Sequence, residues 1–133
     1  MNRDSIMDEF RTDLVNWCKH HFDENLVAVG LFNPSKVNAK FPSGDINVLI
    51  ALNMAPENER ERYDLVTEIL VQNLVPNKTI TCRVQTMGEL NVLSDLQLPL
   101  IDIYMRDIEI LYDPRKLLET ERDKLTNLNS QDD

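Results

Sequence analysis

Two polar residues open an apolar run in the first half of the chain. Asp45 and Asn47 lie in the stretch DINVLIAL, residues 45–52, and a single residue separates them. In an extended strand, residues two apart point to the same face and lie about 7 Å apart. Two acids so placed could hold magnesium ions together with the phosphates of a nucleotide. Here only Asp45 is charged, because the Asn47 amide offers a neutral carbonyl.

A polar loop, residues 33–44, lies between two apolar runs and contains groups that could contact phosphate. Its basic residues are Lys36 and Lys40, and Ser35 and Ser43 carry hydroxyl groups. Lysines in a surface loop more often serve solubility. The pattern therefore predicts a β-hairpin with a long loop, and it leaves phosphate binding open.

The surrounding elements alternate between helical and strand patterns. Apolar residues at three- and four-residue steps predict helices, whereas alternating or continuous short apolar runs predict strands. The predicted order is helix 4–21, strand 25–32, strand 45–52, helix 55–75, strand 78–86, one or two short helices within 87–107, strand 108–113 and helix 114–126. This order predicts an α/β (α+β) fold, with a small mixed β-sheet of about four strands and helices packed on it.

Individual residues predict how these elements begin and which faces they bury. His21 is expected on the apolar stripe of the first helix, and Tyr63 on that of the second. Pro56 is expected to begin the second helix, and Asp113 to cap the last one. The first two strands are almost continuously apolar, which is typical of central strands.

Composition restricts the class of protein. The 133 residues predict one domain, residues 1–126, followed by a disordered tail, residues 127–133. The formal net charge of −9 argues against binding bulk nucleic acid or an anionic membrane surface. No signal-peptide core or membrane-length apolar run occurs, which predicts a cytoplasmic protein. Cys18 and Cys82 are expected to be reduced, buried thiols.

The hairpin resembles that of the minimal nucleotidyltransferases of the DNA polymerase β superfamily, the small antitoxin-like type. In that family Leu-Phe-Gly-Ser ends the first strand, ten loop residues follow, and Asp-Ile-Asp opens the second strand. This chain has LF at 31–32, DIN at 45–47 and the same loop length. Its LYD at 111–113 is similar to the strand that closes family members. The resemblance covers most of the chain in element order, and it implies a nucleotidyltransferase-like fold.

The chain departs from the family motif at three places. Asn33 and Pro34 replace Gly-Ser, so a backbone donor and a hydroxyl are absent, although Ser35 could partly substitute. Asn47 replaces the second acid, which lowers the expected affinity for magnesium. The third acid of the family falls at Arg83, which could instead pair with Asp45 or bind a phosphate directly.

The resemblance and the departures together predict a catalytically degenerate nucleotidyltransferase-fold protein, a nucleotide- or protein-binding module. The alternative is an active enzyme that transfers a nucleoside monophosphate from a triphosphate to a protein or small acceptor with Mg²⁺. Asp45 and Asn47 would be its catalytic residues. Asp45 would be the metal ligand, and Asp102 or Glu89 would supply further oxygens. Predicted nucleotide contacts are Asn33, Ser35, Lys36, Ser43 and Arg83.

The same residues also have purely structural interpretations. Asp45 is a common residue type at a turn before a strand. Asn47 could hydrogen-bond to the adjacent loop, and Arg83 could be a solvated strand residue or the partner of an acid. The family resemblance implies a small helical protein as a partner. Besides the binding module and the enzyme, a third hypothesis is a domain that self-associates as a homodimer.

Overall fold

The computed structural model describes residues 3–33, 44–71, 75 and 78–131. The described residues form five α-helices and four strands. The helices are α1 (Arg3–Phe22), α2 (Glu59–Val71), α3 (Met87–Asp95), α4 (Pro99–Met105) and α5 (Leu117–Gln131). The strands are β1 (Leu26–Phe32), β2 (Ile46–Leu52), β3 (Ile80–Thr86) and β4 (Glu109–Tyr112). A 3-10 turn, Asp23–Asn25, joins α1 to β1.

The four strands form one mixed sheet in the order β3-β2-β1-β4. β1 pairs antiparallel with β2 and with β4, whereas β2 and β3 are parallel. Parallel neighbours need a long crossover, and α2 lies in that connection. The two most apolar runs are the central strands β1 and β2, as predicted, and all seven residues of β2 are buried. The predicted mixed α/β sheet of four strands is thus confirmed.

Helices cover both faces of this sheet. On one face, α1 contributes buried side chains at every fourth position and α2 contributes Val66; the α1 residues are Phe10, Leu14, Cys18 and Phe22. On the other face, α3, α4 and α5 pack over residues that include Leu49 and Ala51. Coverage on both sides explains why the central strands carry almost no polar residue. Among the described residues, no helix has the length and apolarity needed to cross a membrane.

The buried stripe of α1 differs from the predicted one at its end. His21 is exposed, and its ring stacks on Trp17 with centroids 4.4 Å apart. Cys18 takes the inward position and is fully buried, as predicted, whereas Cys82 is only partly buried. Burial raises the pKa of both thiols to about 12, so both are protonated at neutral pH.

The helices α2 and α5 both begin later in the chain than predicted. α2 begins at Glu59 rather than at Pro56, because the Asn58 side chain caps it by accepting the N–H of Arg60 at 2.7 Å. Asp113 does cap α5, accepting the N–H groups of Leu117 and Glu119, each at 2.9 Å. α5 then continues to Gln131, so residues 127–131, predicted as tail, are helical.

The inward face of α2 is rotated relative to the prediction. Tyr63 is 58% exposed, and the buried residues of this helix include Arg62 and Val66, four positions apart. Arg62 faces inward because its guanidinium has partners there. The sequence pattern of apolar residues does not indicate those partners, since they lie on other elements.

Arg62 joins α2 to β3 and α3. Its Nη1 and Nη2 donate to the Glu89 carboxylate at 2.8 and 3.0 Å, Nη1 also donates to the Val84 carbonyl, and Nε donates to the Pro56 carbonyl. Glu89 and Thr86 in turn form a capping box at the start of α3. Burial opposes ionisation of Glu89, but the hydrogen bonds from Arg62 and Thr86 outweigh it and lower the Glu89 pKa.

Replacing Arg62 by methionine should reduce the free energy of unfolding by about 2–3 kcal/mol, measured by urea denaturation. The variant leaves two carbonyls without a donor and Glu89 without its ion pair. The loss is smaller than for a fully buried pair because the Glu89 side chain is 42% exposed to solvent. The control variant Arg60→Met, at an exposed position of the same helix, should change the free energy of unfolding by less than about 0.5 kcal/mol.

The pH dependence gives a second readout for this substitution. Because the folded pKa of Glu89 is lowered, its contribution is present above the unfolded pKa and is lost as the pH falls through the folded value. In Arg62→Met, the decrease in the free energy of unfolding on acidification should be smaller than in the parent protein. Equal urea midpoints for the variant and the parent would contradict the assigned role.

Candidate functional site

Asp45 immediately precedes β2, and its carboxylate bonds to the residue before β3. Oδ2 accepts hydrogen bonds from the N–H and the hydroxyl of Thr79, both at 3.0 Å, and the Asp45 N–H lies 3.3 Å from Thr79 Oγ1. These bonds, helped by the charge of Lys78, lower the pKa of the exposed Asp45 carboxyl. Asp45 is therefore an ionised residue at neutral pH that connects the starts of two strands.

The Asn47 side chain forms two hydrogen bonds with the backbone of Gly44. Its Oδ1 accepts the Gly44 N–H at 3.1 Å, and its Nδ2 donates to the Gly44 carbonyl at 3.2 Å. The residue is only 7% exposed. A carboxylate at this position could accept the first bond but could not donate the second. The predicted structural interpretation of Asn47, a hydrogen bond to the adjacent loop, is confirmed.

Gly44 lies so close to the neighbouring strand that no side chain fits there. A Cβ atom at this position would be 2.8 Å from the Thr79 carbonyl oxygen and 2.9 Å from Thr81 Oγ1. The strand register pairs Asn47 with Thr81, so their side chains share one face of the sheet. The Gly44 backbone therefore lies against both side chains on that face. Neither Gly44 nor the two threonines was singled out from the sequence, because their contacts depend on the register.

The structure does not bring Arg83 to Asp45. The register places Arg83 beside Leu49, and Asp45 precedes Leu49 by four residues, or about 13 Å along the strand. Arg83 lines a different cavity, at the free edge of the sheet. Thr81, not Arg83, stands opposite Asn47, so this pair of positions carries a hydroxyl and an amide.

Three of the predicted site residues do share a cavity. Asn33, Asp45 and Asn47 line a space of about 390 Å³ at the end of the hairpin, together with Arg11 and Glu109. Arg11 forms an ion pair with Glu109 through Nε and Nη2, so its charge is already compensated. The other predicted phosphate contacts, Ser35, Lys36 and Ser43, lie outside the described residues.

The acids available for a metal are dispersed in the part of the chain that the structure describes. Within those ranges, no group of three or more His, Cys, Asp or Glu side chains is arranged to hold a metal ion. Glu89 and Asp102, the predicted additional ligands, form ion pairs with Arg62 and Arg106 at 2.8 Å each. Asp45 uses Oδ2 for Thr79, which leaves Oδ1 as the oxygen that could approach a cation.

Comparison with known proteins supports the fold and nothing finer. No protein-family model matches the chain, and no curated protein matches it. Two similar solved structures are a toxin–antitoxin with AMP-PNP (TM-score 0.56, 11% identity) and a double mutant of the toxin–antitoxin MntA-HpeT (TM-score 0.55, 10% identity). Each match covers 91% of this chain and 87% of the other. At this level of identity the likeness shows a shared fold, in agreement with the mixed α/β architecture predicted from the sequence.

Asn47→Asp, which restores the acid of the family motif, should lower the free energy of unfolding by about 1–3 kcal/mol at pH 7. It replaces a donor to the Gly44 carbonyl by a buried charge. Burial should raise the folded pKa of the new acid, so the deficit should shrink as the pH falls below that pKa. Asn53→Asp, at an exposed amide that donates to the Glu24 carbonyl, is the matched control and should cost less. An Asn47→Asp variant as stable as the parent would contradict this account.

Gly44→Ala should be destabilising by roughly 1–3 kcal/mol, because the added methyl group would overlap the Thr79 carbonyl, just before β3, and the Thr81 hydroxyl. Gly88→Ala is the matched control. At Gly88 the nearest atom to an added Cβ is 3.8 Å away, and the residue lies in α3, where alanine is favoured. Thermal denaturation should thus show opposite signs for the two variants, and a neutral Gly44→Ala would show that the hairpin does not press against β3.

Proposed function

We propose that this chain is a nucleotidyltransferase-fold domain that has kept the scaffold, has lost metal-dependent transfer, and acts as a module that binds a nucleotide or a protein. The observation that carries the proposal is the Asn47 amide, both of whose polar atoms bond to the Gly44 backbone. A side chain used in this way has no oxygen directed at a cation. Position 47 thus contributes to the conformation of the hairpin rather than to chemistry.

The neighbouring positions support the same conclusion. Two bonds from Thr79 occupy one Asp45 oxygen, and a threonine stands opposite Asn47 where a further acid would have to converge on a shared metal ion. Transfer by the two-metal route needs several carboxylates within a few ångströms to neutralise the phosphate charge. At this place the described residues offer two carboxylates, Asp45 and Glu109, and Glu109 is already paired with Arg11.

The ligand classes in the proposal follow from the similar structures and from the family resemblance. Both similar structures are toxin–antitoxin proteins, and one was determined with AMP-PNP. A protein partner, a nucleotide, or both are therefore the ligands to test first.

One observation favours an active enzyme as the second candidate. The Asp45 carboxyl is exposed and its pKa is lowered, so it is ionised and accessible to a magnesium ion at neutral pH. A single ion held by Asp45 and by the phosphates of a bound triphosphate is the arrangement that this alternative requires.

Calorimetric titration distinguishes the two candidates. We expect the affinities for ATP and the other nucleoside triphosphates to change less than about threefold when about 5–10 mM Mg²⁺ or Mn²⁺ is added. Asp45→Ala should leave those affinities unchanged within the same margin. Its matched control is Asp95→Ala, which removes an acid at the end of α3.

The opposite outcome is equally specific. Metal-dependent nucleotide binding that Asp45→Ala abolishes and Asp95→Ala preserves would establish the enzyme instead. Transfer of labelled nucleoside monophosphate to this chain or to an added protein, with the same dependence on Asp45, would do so independently.

A further inference from the structure

One carboxyl group in the interior has an oxygen without a hydrogen-bond partner. Glu121 lies within α5 and is only 2% exposed. Its Oε1 accepts a long hydrogen bond of 3.4 Å from Lys124 Nζ, and the Lys124 side chain is 48% exposed. Its Oε2 is buried and has no partner among the residues that the structure describes. The candidate site at the hairpin does not involve this group.

Glu121 occupies a position of α5 that faces the core. It follows Leu118 by three residues and precedes Leu125 by four, so the three side chains lie along one face of the helix. Leu118 is fully buried, and Leu125 packs partly against the same apolar cluster. Helices α3 and α4 contact α5, and they contribute Leu90 and Ile101 to that cluster. Glu121 thus stands in the row of side chains that holds α5 against α3 and α4.

The unpaired oxygen in this row weakens the docking of the helix. The Glu121 carboxyl group gives up its hydrogen bonds to water when α5 docks, and one long bond from Lys124 replaces them. The group regains its hydration when α5 moves away from α3 and α4. Docking of α5 therefore includes an unfavourable contribution that an apolar side chain at position 121 would not make.

The apolar contribution to the docking of α5 is also small. Within the described part of this helix, Leu118 is the one fully buried apolar side chain, and Leu117 and Leu125 are partly buried. Helix α1, by comparison, contributes four buried apolar side chains on the other face of the sheet. Because buried apolar area stabilises a docked helix, less free energy is lost when α5 opens than when α1 does.

The start of α5 is held by bonds that do not depend on this docking. Asp113 accepts the N–H groups of Leu117 and Glu119, each at 2.9 Å. These bonds join residues close together in the sequence, and no group of α3 or α4 takes part in them. They therefore persist when the later part of the helix moves, and they make the Asp113 cap the natural pivot of such a motion.

We propose that α5 from Glu121 onward is a releasable strap over α3 and α4, hinged at the Asp113 cap, and that the buried Glu121 carboxyl group keeps the free energy of its opening low. In the closed state the strap covers part of the apolar cluster that contains Leu118. Opening returns the carboxyl group to water and exposes apolar side chains of α3 and α4 while the sheet stays folded. The strap is a property of the fold and is independent of the binding role proposed for the domain.

Native-state hydrogen exchange of the full chain, followed by NMR at the amides, tests this proposal. We expect the amides of residues 121–127 to exchange at least about 100-fold faster than those of β2, after correction for intrinsic rates. Glu121→Met should slow exchange at these amides by about tenfold, because the docked helix no longer buries an unpaired oxygen. The matched control is Glu119→Met, on the same helix with a side chain 42% exposed, which should change their exchange by less than about threefold.

The pattern of protection along α5 separates a strap from fraying at the helix end. A strap gives residues 121–127 similar protection, whereas fraying gives protection that increases steadily from Gln131 toward the start of the helix. Glu121→Gln, which keeps polar atoms unpaired, should slow exchange less than Glu121→Met. Protection of these amides equal to that of β2, a fraying pattern, or exchange that is unchanged or faster in Glu121→Met would overturn the proposal.

Discussion

The parallel register between β2 and β3 determines which side chains meet at the end of this sheet. It sets Asn47 beside Thr81 and Leu49 beside Arg83, and it brings the Thr79 backbone to Ile46. A slip of one residue would move every side chain of β3 to the opposite face. The bonds of Asp45 to Thr79 and the close approach of Gly44 to β3 both require this register. The contacts at the hairpin are therefore consequences of a single strand pairing.

Local patterns were sufficient to predict most of the fold. The apolar runs of β1 and β2 indicated central strands because parallel and mixed sheets bury such strands on both faces. Asp113 indicated a helix start because a carboxylate satisfies N–H groups that the first turn leaves unpaired. The element order then restricted the architecture to a small mixed sheet with helices on it. Each of these predictions depends on residues close together in the sequence.

Nonlocal contacts explain what the sequence did not predict. The inward face of α2 is rotated toward Arg62 because Glu89, 27 residues later, and the Val84 carbonyl receive its guanidinium. The position of Arg83 relative to Asp45 depends on a register between strands that a helix separates in sequence. Gly44 gave no motif signal, since its importance comes from Thr79 and Thr81 on another strand. A single sequence contains no direct measure of such pairings.

Different sets of polar side chains from neighbouring elements lie near the two ends of β3. Near its start, Asp45 and Asn47 bond to the backbone and side chain of their neighbours, in positions where the family resemblance implies metal ligands. Near its end, Arg62 and Glu89 bond to the Val84 carbonyl and the Thr86 N–H. Polar side chains near both ends of β3 stabilise the chain conformation, and a cavity of about 460 Å³ lies beside β3 between them.

Paramagnetic broadening by Mn²⁺ in NMR spectra of the nitrogen-15-labelled protein tests the central claim most directly. A cation held at the start of β2 would broaden the amide signals nearest to it. The account predicts that Gly44, Asp45 and Asn47 broaden no more than the amides of exposed acids elsewhere, such as Asp95, with or without ATP. Selective loss of the signals at residues 44–47 at stoichiometric Mn²⁺ would contradict it and would identify the hairpin as a working metal site.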